Sequence, residues 1–308
     1  MSSTDMVQNM DHVDRDIINE LTANCRVSYE TMARKLGITA NAVRRRMLNL
    51  TESGVISEFV LLPSFAMVDV HFLIGLTWTD GARNDDEIVE LIGSHPFITS
   101  VGFDSFGTII FNAEYPEDSG LEEITDFLRD EVNVTDLELH PVSRPRGVKF
   151  EPSALQLRVL RCLAEDPRMS VTTVAEKSGL TAKRVRRIIE QLQDSRGFEF
   201  TIIRNLNAGS NTNFVIRVEW DDALTGPENI VNWLETEHPK EYWYPNISHS
   251  ERVMFPVFVV DHLKDIEAIF KHLMELPNIF PHATLIPYPR KRFPGSRERY
   301  LQELLSRS

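Results

Sequence analysis

Along residues 14–50 apolar side chains recur three and four positions apart, the period of a helix packed on one side. Ile17, Ile18 and Leu21 make the inward face of a helix over 14–23. Ser28 is the predicted N-cap of a second helix, Tyr29 to Leu36, which Gly37 ends in a turn. A third helix runs to about Leu50, with Thr39 as its N-cap and Val43, Met47 and Leu50 on one face. Gly54 to Leu62 read as extended, either a strand pair or a single wing, and Pro63 stops them.

From Val70 the pattern changes. Val70 to Trp78 is a dense apolar strand, Asp85 to Ser94 a helix, and Phe97 to Phe103 a strand that turns at 104–107. Thr108 to Tyr115 is the next strand, Ser119 to Asp130 a helix, and Val134 to His140 a last strand. The order β-α-β-β-α-β is ferredoxin-like. Residues 141–152 hold three prolines with Arg144, Arg146 and Lys149, and read as a linker.

Then the whole arrangement repeats. At a fixed offset of 142, Arg26, Ser28, Ala33, Gly37, Thr39, Ala40, Val43, Arg44, Arg45 and Leu50 meet identical residues, Arg168 through Leu192. The second basic helix carries Val185, Ile189 and Leu192 inward. Phe72, Ile74 and Trp78 meet Phe214, Ile216 and Trp220, and a second β-α-β-β-α-β unit spans 213–287. Three helices with a tight turn before the third, and a wing after it, form a winged helix-turn-helix; its recurrence in full context strengthens that reading.

The expected fold class is therefore α+β, with two winged helix-turn-helix domains alternating with two ferredoxin-like domains. Boundaries fall at 1–63 and 143–206 for the winged helices and 64–142 and 207–290 for the ferredoxin-like domains. Residues 291–308 remain as a basic tail with a helix over Arg297 to Leu305, capped by Ser296 and read as solvated.

Net charge is −13, which at first opposes a nucleic-acid partner, but its distribution changes the picture. Residues 63–150 hold 17 acidic against 5 basic side chains, whereas 151–205 hold 10 basic against 7 acidic. Phosphate contact answers to the local field, screened beyond ~8–10 Å. The polar first ten residues do not read as a signal peptide, and no apolar run approaches the roughly 20 residues of a membrane span. A cytoplasmic protein with no membrane partner is expected. Cys25 and Cys162, read as equivalent places in the two copies, suit reduced, buried thiols.

The chemistry that stands out is in the third helices. With the apolar faces turned inward, Asn41, Arg44 and Arg45, and Lys183, Arg186 and Arg187, face outward. A short helix with an apolar back and an arginine front suits a DNA groove. The candidate DNA-binding set is Thr39, Asn41, Arg44, Arg45, Arg46, Thr181, Lys183, Arg184, Arg186 and Arg187. Double-stranded DNA is the expected partner; no catalytic residue, metal site or cofactor is expected. The sheet strands, rich in apolar residues, call for cover: Val70, Phe72, Ile74, Leu76 and Trp78 are expected to face Phe214, Ile216, Val218 and Trp220, within one chain or between chains.

Val13-Asp14-Arg15-Asp16-Ile17-Ile18, the helix Val43 to Leu50 and Gly54-Val55-Ile56 resemble the start, recognition helix and wing entry of the Lrp/AsnC regulators. The resemblance covers nearly the whole chain as two fused units. It implies a DNA-binding transcriptional regulator, homo-oligomers built through the ferredoxin-like domains, and an amino-acid or other small-molecule effector. Effectors in that family bind at glycine-containing turns, which points to Gly102, Asp104 and Gly107; the matching second region, 247–252, has no glycine. The second basic helix has Ile188 where the first has Arg46, so the halves are expected to read different sequences. The alternative is an enzyme: siroheme decarboxylases resemble the same family and use histidine and arginine. Five of the nine histidines lie in the second ferredoxin-like domain, with His249 and Arg252 near its hairpin.

Overall fold

The computed structural model describes residues 10–79, 81, 84–117, 119–209, 211–221, 225–285 and 290–306. Expectations for the first nine residues, for 286–289 and for 307–308 lie outside the described residues.

Helices α1 (His12–Ala23), α2 (Tyr29–Leu36) and α3 (Ala40–Glu52) precede strand β1 (Ile56–Pro63). A short α4 (Phe65–Val68), without a signal in the periodicity, leads to β2 (Val70–Thr79), α5 (Asp85–Gly93), β3 (Ile98–Phe103) and β4 (Ile109–Pro116). Then come α6 (Gly120–Phe127), a π-helical turn over Leu128–Val132, and β5 (Val134–Val142). The second copy supplies α7 (Ala154–Glu165), α8 (Val171–Ser178), α9 (Ala182–Asp194), β6 (Phe198–Arg204), β7 (Thr212–Trp220) and α10 (Pro227–Glu237). It continues with β8 (Tyr242–Tyr244), β9 (Val253–Met254), β10 (Val257–Val260), α11 (Leu263–Met274) and β11 (Ile279–Leu285). Strand β12 (Lys291–Arg292) and α12 (Ser296–Ser306) close the chain.

Like gathers with like. One compact unit holds both winged helices, from residues 11–70 and 145–205, together with α12; the other holds both sheets, from 71–144 and 206–295.

In the winged-helix unit the wing is not a local hairpin. Strand β1 pairs antiparallel with β6, its counterpart 142 residues on, matching Phe59 to Ile202 and Val60 to Thr201. The counterpart of Phe59 is Thr201 and that of Val60 is Ile202. The ribbon is thus paired about a pseudo-two-fold axis, as the interface of a symmetric dimer is. Val60, Leu61, Leu62, Phe198, Phe200 and Ile202 are buried along it. The linker is held in this unit: Arg146 and Lys149 reach Asp69 at 3.4 and 2.7 Å, and Ser64 Oγ donates to the Val148 carbonyl at 3.1 Å.

In the sheet unit the strand order β3-β4-β2-β5 is ferredoxin-like, and β11-β7-β10-β8 repeats it. The two sheets pair within the chain. Ile74, Leu76, Ile110 and Val142 bury against Val253 and Phe255, flanked by Phe72, Trp78 and Val215. The His249 N–H donates to the Pro141 carbonyl at 3.0 Å, and Arg144 reaches Asn246 at 2.7 Å.

The expected facing of β7 is corrected. Phe214, Ile216, Val218 and Trp220 point into their own domain's core against Ile230, Leu234, Ile269 and Leu273. In β2 it is Leu73 that takes that inward side. A strand has a side-chain period of two, so a one-residue slip of the repeat exchanges its faces. The 142 offset holds through the winged helices and fails in the sheets.

The tail is not free either. Strand β12 extends the first sheet at β3, and the Phe293 N–H donates to the Thr99 carbonyl at 2.9 Å. Phe293 packs so closely on Gly93 that a β-carbon there would meet its ring at 2.0 Å. In the other unit, Arg297 of α12 is buried, 2.8 Å from Glu199 and 3.9 Å above the Phe65 ring. Cys25 and Cys162 are both buried free thiols, but their places differ: at the offset of 142 they meet Pro167 and Glu20. Among the described residues no helix is long and apolar enough to cross a membrane.

Candidate nucleic-acid interface

Both third helices begin alike because their local sequences dictate it. Gly37 and Gly179 sit in the left-handed region at φ 66° and 65°, ending the preceding helix where a side chain would be strained. Thr39 Oγ1 accepts the Ala42 N–H at 3.2 Å, and Thr181 Oγ1 accepts the Arg184 N–H at 3.3 Å. Both threonines are exposed N-caps, a role each fills without DNA.

Val43, Met47 and Leu50 are buried in α3; Val185, Ile188, Ile189 and Leu192 are buried in α9. Opposite these faces Asn41, Arg44, Arg45 and Leu48 are exposed, as are Lys183, Arg184, Arg186, Arg187 and Glu190. Positions i, i+3, i+4 and i+7 form one stripe of a helix. Each copy therefore presents a stripe centred on two adjacent arginines.

Arg46 does not join it. Its guanidinium lies 2.8 Å from Asp14 and 2.9 Å from Asp11. These aspartates form the capping box of α1, so Arg46 fastens α3 to the start of α1. Burial pulls the Arg46 pKa down, and its bonds to Asp14 and Asp11 outweigh that, leaving it raised. The counterparts in the second copy are Ser153 and Gln156, again a capping box, with Ile188 buried in place of the arginine. A doubly acidic cap comes with a cation, a neutral cap with an apolar residue. The Arg46/Ile188 difference, read in the sequence as altered DNA recognition, is a packing difference.

At the turn assigned to an effector, Gly102 is covered while Ser105, Phe106 and Gly107 are exposed. Arg290 packs against Gly102, where a β-carbon would meet it at 2.8 Å. Asp104 is buried, and its carboxylate accepts the N–H groups of Phe106 and Thr108 at 2.8 Å each, shaping the turn that Gly107 completes at φ 83°. Arg144 lies 4.8 Å above the Phe72 ring, so both arginines of the linker have protein partners.

A feature that sequence reading missed lies in the sheet unit. His140 is buried, with Glu138 at 3.2 Å and Glu251 at 3.4 Å, and Glu138 also meets Arg217. Beside them a cleft of about 560 Å³ is lined by Arg217, Glu219, Trp220, Asp221, Glu251, Arg252, Val253 and Phe280. Arg252 borders this cleft, whereas His249 is exposed. His238 and His272 form a separate pair, 3.1 Å apart between ring nitrogens. The pairing of sheets joins Glu138 to Arg217 and His140 to Glu251, 79 and 111 positions apart in the chain.

Comparison with known proteins matches this architecture. Residues 10–51 match the AsnC-type helix-turn-helix domain, and 153–195 match a winged helix-turn-helix DNA-binding model. An uncharacterized HTH-type transcriptional regulator of Pyrococcus furiosus is 26% identical over 141 residues, 44% of this chain and 95% of that protein. The HTH-type transcriptional regulator Ptr1 of Methanocaldococcus jannaschii is 40% identical over 92 residues, 27% of this chain and 62% of that protein. Among solved structures, the siroheme decarboxylase NirDL shares the fold, with TM-score 0.53 and 13% identity over 96% of this chain and 99% of that one. The relatives match about one copy, so the duplicated chain spans two. The chain thus carries an AsnC-type helix-turn-helix domain at 10–51 and a winged helix-turn-helix domain at 153–195, each followed by a ferredoxin-like sheet domain.

Proposed function

We propose that this chain is a sequence-specific, double-stranded-DNA-binding transcriptional regulator whose two winged helices act together. The observation that carries the reading is the pair of exposed stripes, Asn41-Arg44-Arg45 and Lys183-Arg186-Arg187, each set opposite a buried apolar face. The relatives' description as transcriptional regulators supports it. Thr39, Thr181 and Arg184 lie at the exposed helix starts beside these stripes, where backbone and phosphate contacts position a helix on DNA. The pseudo-two-fold ribbon supports two heads from a single chain, with half-sites about one helical turn, ~34 Å, or a multiple apart. The test is duplex binding by the purified chain against salt: a steep loss of affinity between about 50 and 200 mM supports the reading, and no salt-sensitive binding refutes it.

Homo-oligomers belong to the same proposal. The sheet faces that asked for a partner are covered within the chain, leaving the terminal strands β5, β8, β11 and β12 as pairing edges. Light scattering decides: a monomer at working concentration refutes assembly. Effector binding at Gly102, Asp104 and Gly107 is not favoured, since Arg290 fills the space above Gly102. A cytoplasmic location follows from a regulator's work on DNA.

A second reading, a tetrapyrrole-processing enzyme, rests on the whole-chain likeness to a siroheme decarboxylase and on the cleft bordered by Arg217 and Arg252. Its arginines suit carboxylates, while Glu219, Asp221 and Glu251 on the same walls oppose them. Titrating the protein with an iron porphyrin carboxylate tests it; an unshifted Soret band removes it.

A further inference from the structure

Two heads in one chain need not read the same bases; beside the stripes the first copy has Ala42 where the second has the exposed Arg184, and within the stripes the differences fall at two positions. Aligned by the offset of 142, the stripes are Asn41, Arg44, Arg45, Leu48 and Lys183, Arg186, Arg187, Glu190. All eight are exposed, and Leu48 keeps 55% of its surface in water. The inner arginine pair is identical and the outer two positions are not. Arg46 and Ile188 drop out of the comparison, because both turn inward.

We infer that the shared arginines read a common inner element while the outer residues make the two half-sites chemically different, one A·T and the other G·C at its outer base pairs. The inference rests on the DNA-binding reading above. Asparagine matches the N6/N7 pair of adenine, and an apolar side chain matches the methyl group of thymine. Lysine matches O6 and N7 of guanine, and a glutamate accepts from N4 of cytosine. Each outer pair is thus consistent within itself: Asn41 and Leu48 both select A·T, Lys183 and Glu190 both select G·C. More than half of Leu48 is left in water, and a thymine methyl would cover that apolar surface. Glu190 near phosphates is unfavourable unless its carboxylate accepts a base donor. Because the ribbon pairs one copy with the other, both half-sites belong to one chain. The operator is then an imperfect palindrome by construction.

Selection of bound duplexes from a random pool by the purified full chain tests this. The expected result is a site with matching inner base pairs, A·T at the outer positions of one half and G·C at those of the other. Exchanging outer pairs between halves should weaken binding roughly tenfold per base pair. The double variant Asn41→Lys/Leu48→Glu should select a symmetric G·C-flanked site, and Lys183→Asn/Glu190→Leu a symmetric A·T-flanked one. All four substitutions are at exposed positions, and the wild-type site needs no variant. A symmetric wild-type site, or unchanged selection by both folded variants, overturns this inference and leaves the DNA-binding reading standing. No enriched sequence at all overturns that reading itself, and this inference with it.

Discussion

Arg26 and Arg168 make the same contact in opposite directions. Arg26 donates to the carbonyls of Pro167 and Met169, the latter at 3.0 Å, and Arg168 donates to the carbonyl of Cys25. Arg26 and Arg168 are 142 positions apart, and so are Cys25 and Pro167. Residue i of one copy thus meets j of the other while j meets i, which is what two-fold pairing requires. Arg168 also lies 5.4 Å from the rings of both Tyr29 and Phe59. Arg168→Ala is therefore expected to cost more than Arg26→Ala. Each should lose about 1–3 kcal/mol, since a carbonyl bonded by a cation is left without it. Chemical denaturation of the two variants checks the order, and equal or negligible losses contradict it.

Removing the front of one head should affect DNA and not the fold. Arg44→Ala/Arg45→Ala takes away two exposed cations and leaves the buried face of Val43, Met47 and Leu50 intact. A loss of about 2–6 kcal/mol in duplex affinity is expected at moderate salt, with a shallower salt dependence where a phosphate contact is lost. Unchanged affinity in the folded variant rejects the interface.

Arg46 should behave in the opposite way. Arg46→Ala leaves Asp14, which is buried, without its cation, at an expected cost of about 1–3 kcal/mol in stability. Replacing the whole trio by its second-copy counterparts, Asp11→Ser, Asp14→Gln and Arg46→Ile, should restore most of that stability, because an apolar residue then faces a neutral cap. If the triple variant is as unstable as the single one, the trio is not a unit.

Acid should weaken this lock. Burial raises the Asp11 pKa, and the Asp14 N–H and Arg46 outweigh it, so the net value is lowered. A carboxyl with a depressed folded pKa adds stability above its unfolded value, about 4, and loses it as pH falls through the lower folded value. The wild type should therefore lose stability below about pH 4 more steeply than the triple variant. Parallel pH profiles contradict this.

The Cys25 thiol should stay silent toward alkylating reagents. Burial pushes its pKa up to about 11, only partly offset by Arg168 and Arg26. Its folded pKa lies above the unfolded one, so its contribution to stability is complete below about pH 9 and fades as pH climbs toward 11. Rapid modification of the folded chain at pH 8 contradicts the burial.

The tail strand should depend on a missing side chain. Gly93→Ala places a methyl group into the Phe293 ring and should release β12 from β3. Faster proteolysis around residues 290–295, without loss of the winged-helix fold, is the expected sign. Unchanged cleavage shows that the ring finds another place.

What the sequence determined by itself was local. Helix periods, the Thr39 and Thr181 caps, the Gly37 and Gly179 turns and the outward arginine pairs depend on neighbours within a few positions, and all are where the pattern puts them. The duplication was legible too, since it is a property of the string. Partner choice was not. That β1 pairs with β6, that Phe214 faces inward while Phe72 faces the other sheet, and that Arg46 turns to Asp11 and Asp14 are settled by contacts between distant segments. A strand period of two makes facing depend on a one-residue register that no local signal carries. A charged residue at a helix position one step from the front is read as solvated until its counter-charges, here 32 and 35 positions away, are in place. Local sequence sets which elements form, because their energies are short-ranged; only the packed chain decides which surfaces they leave for a ligand.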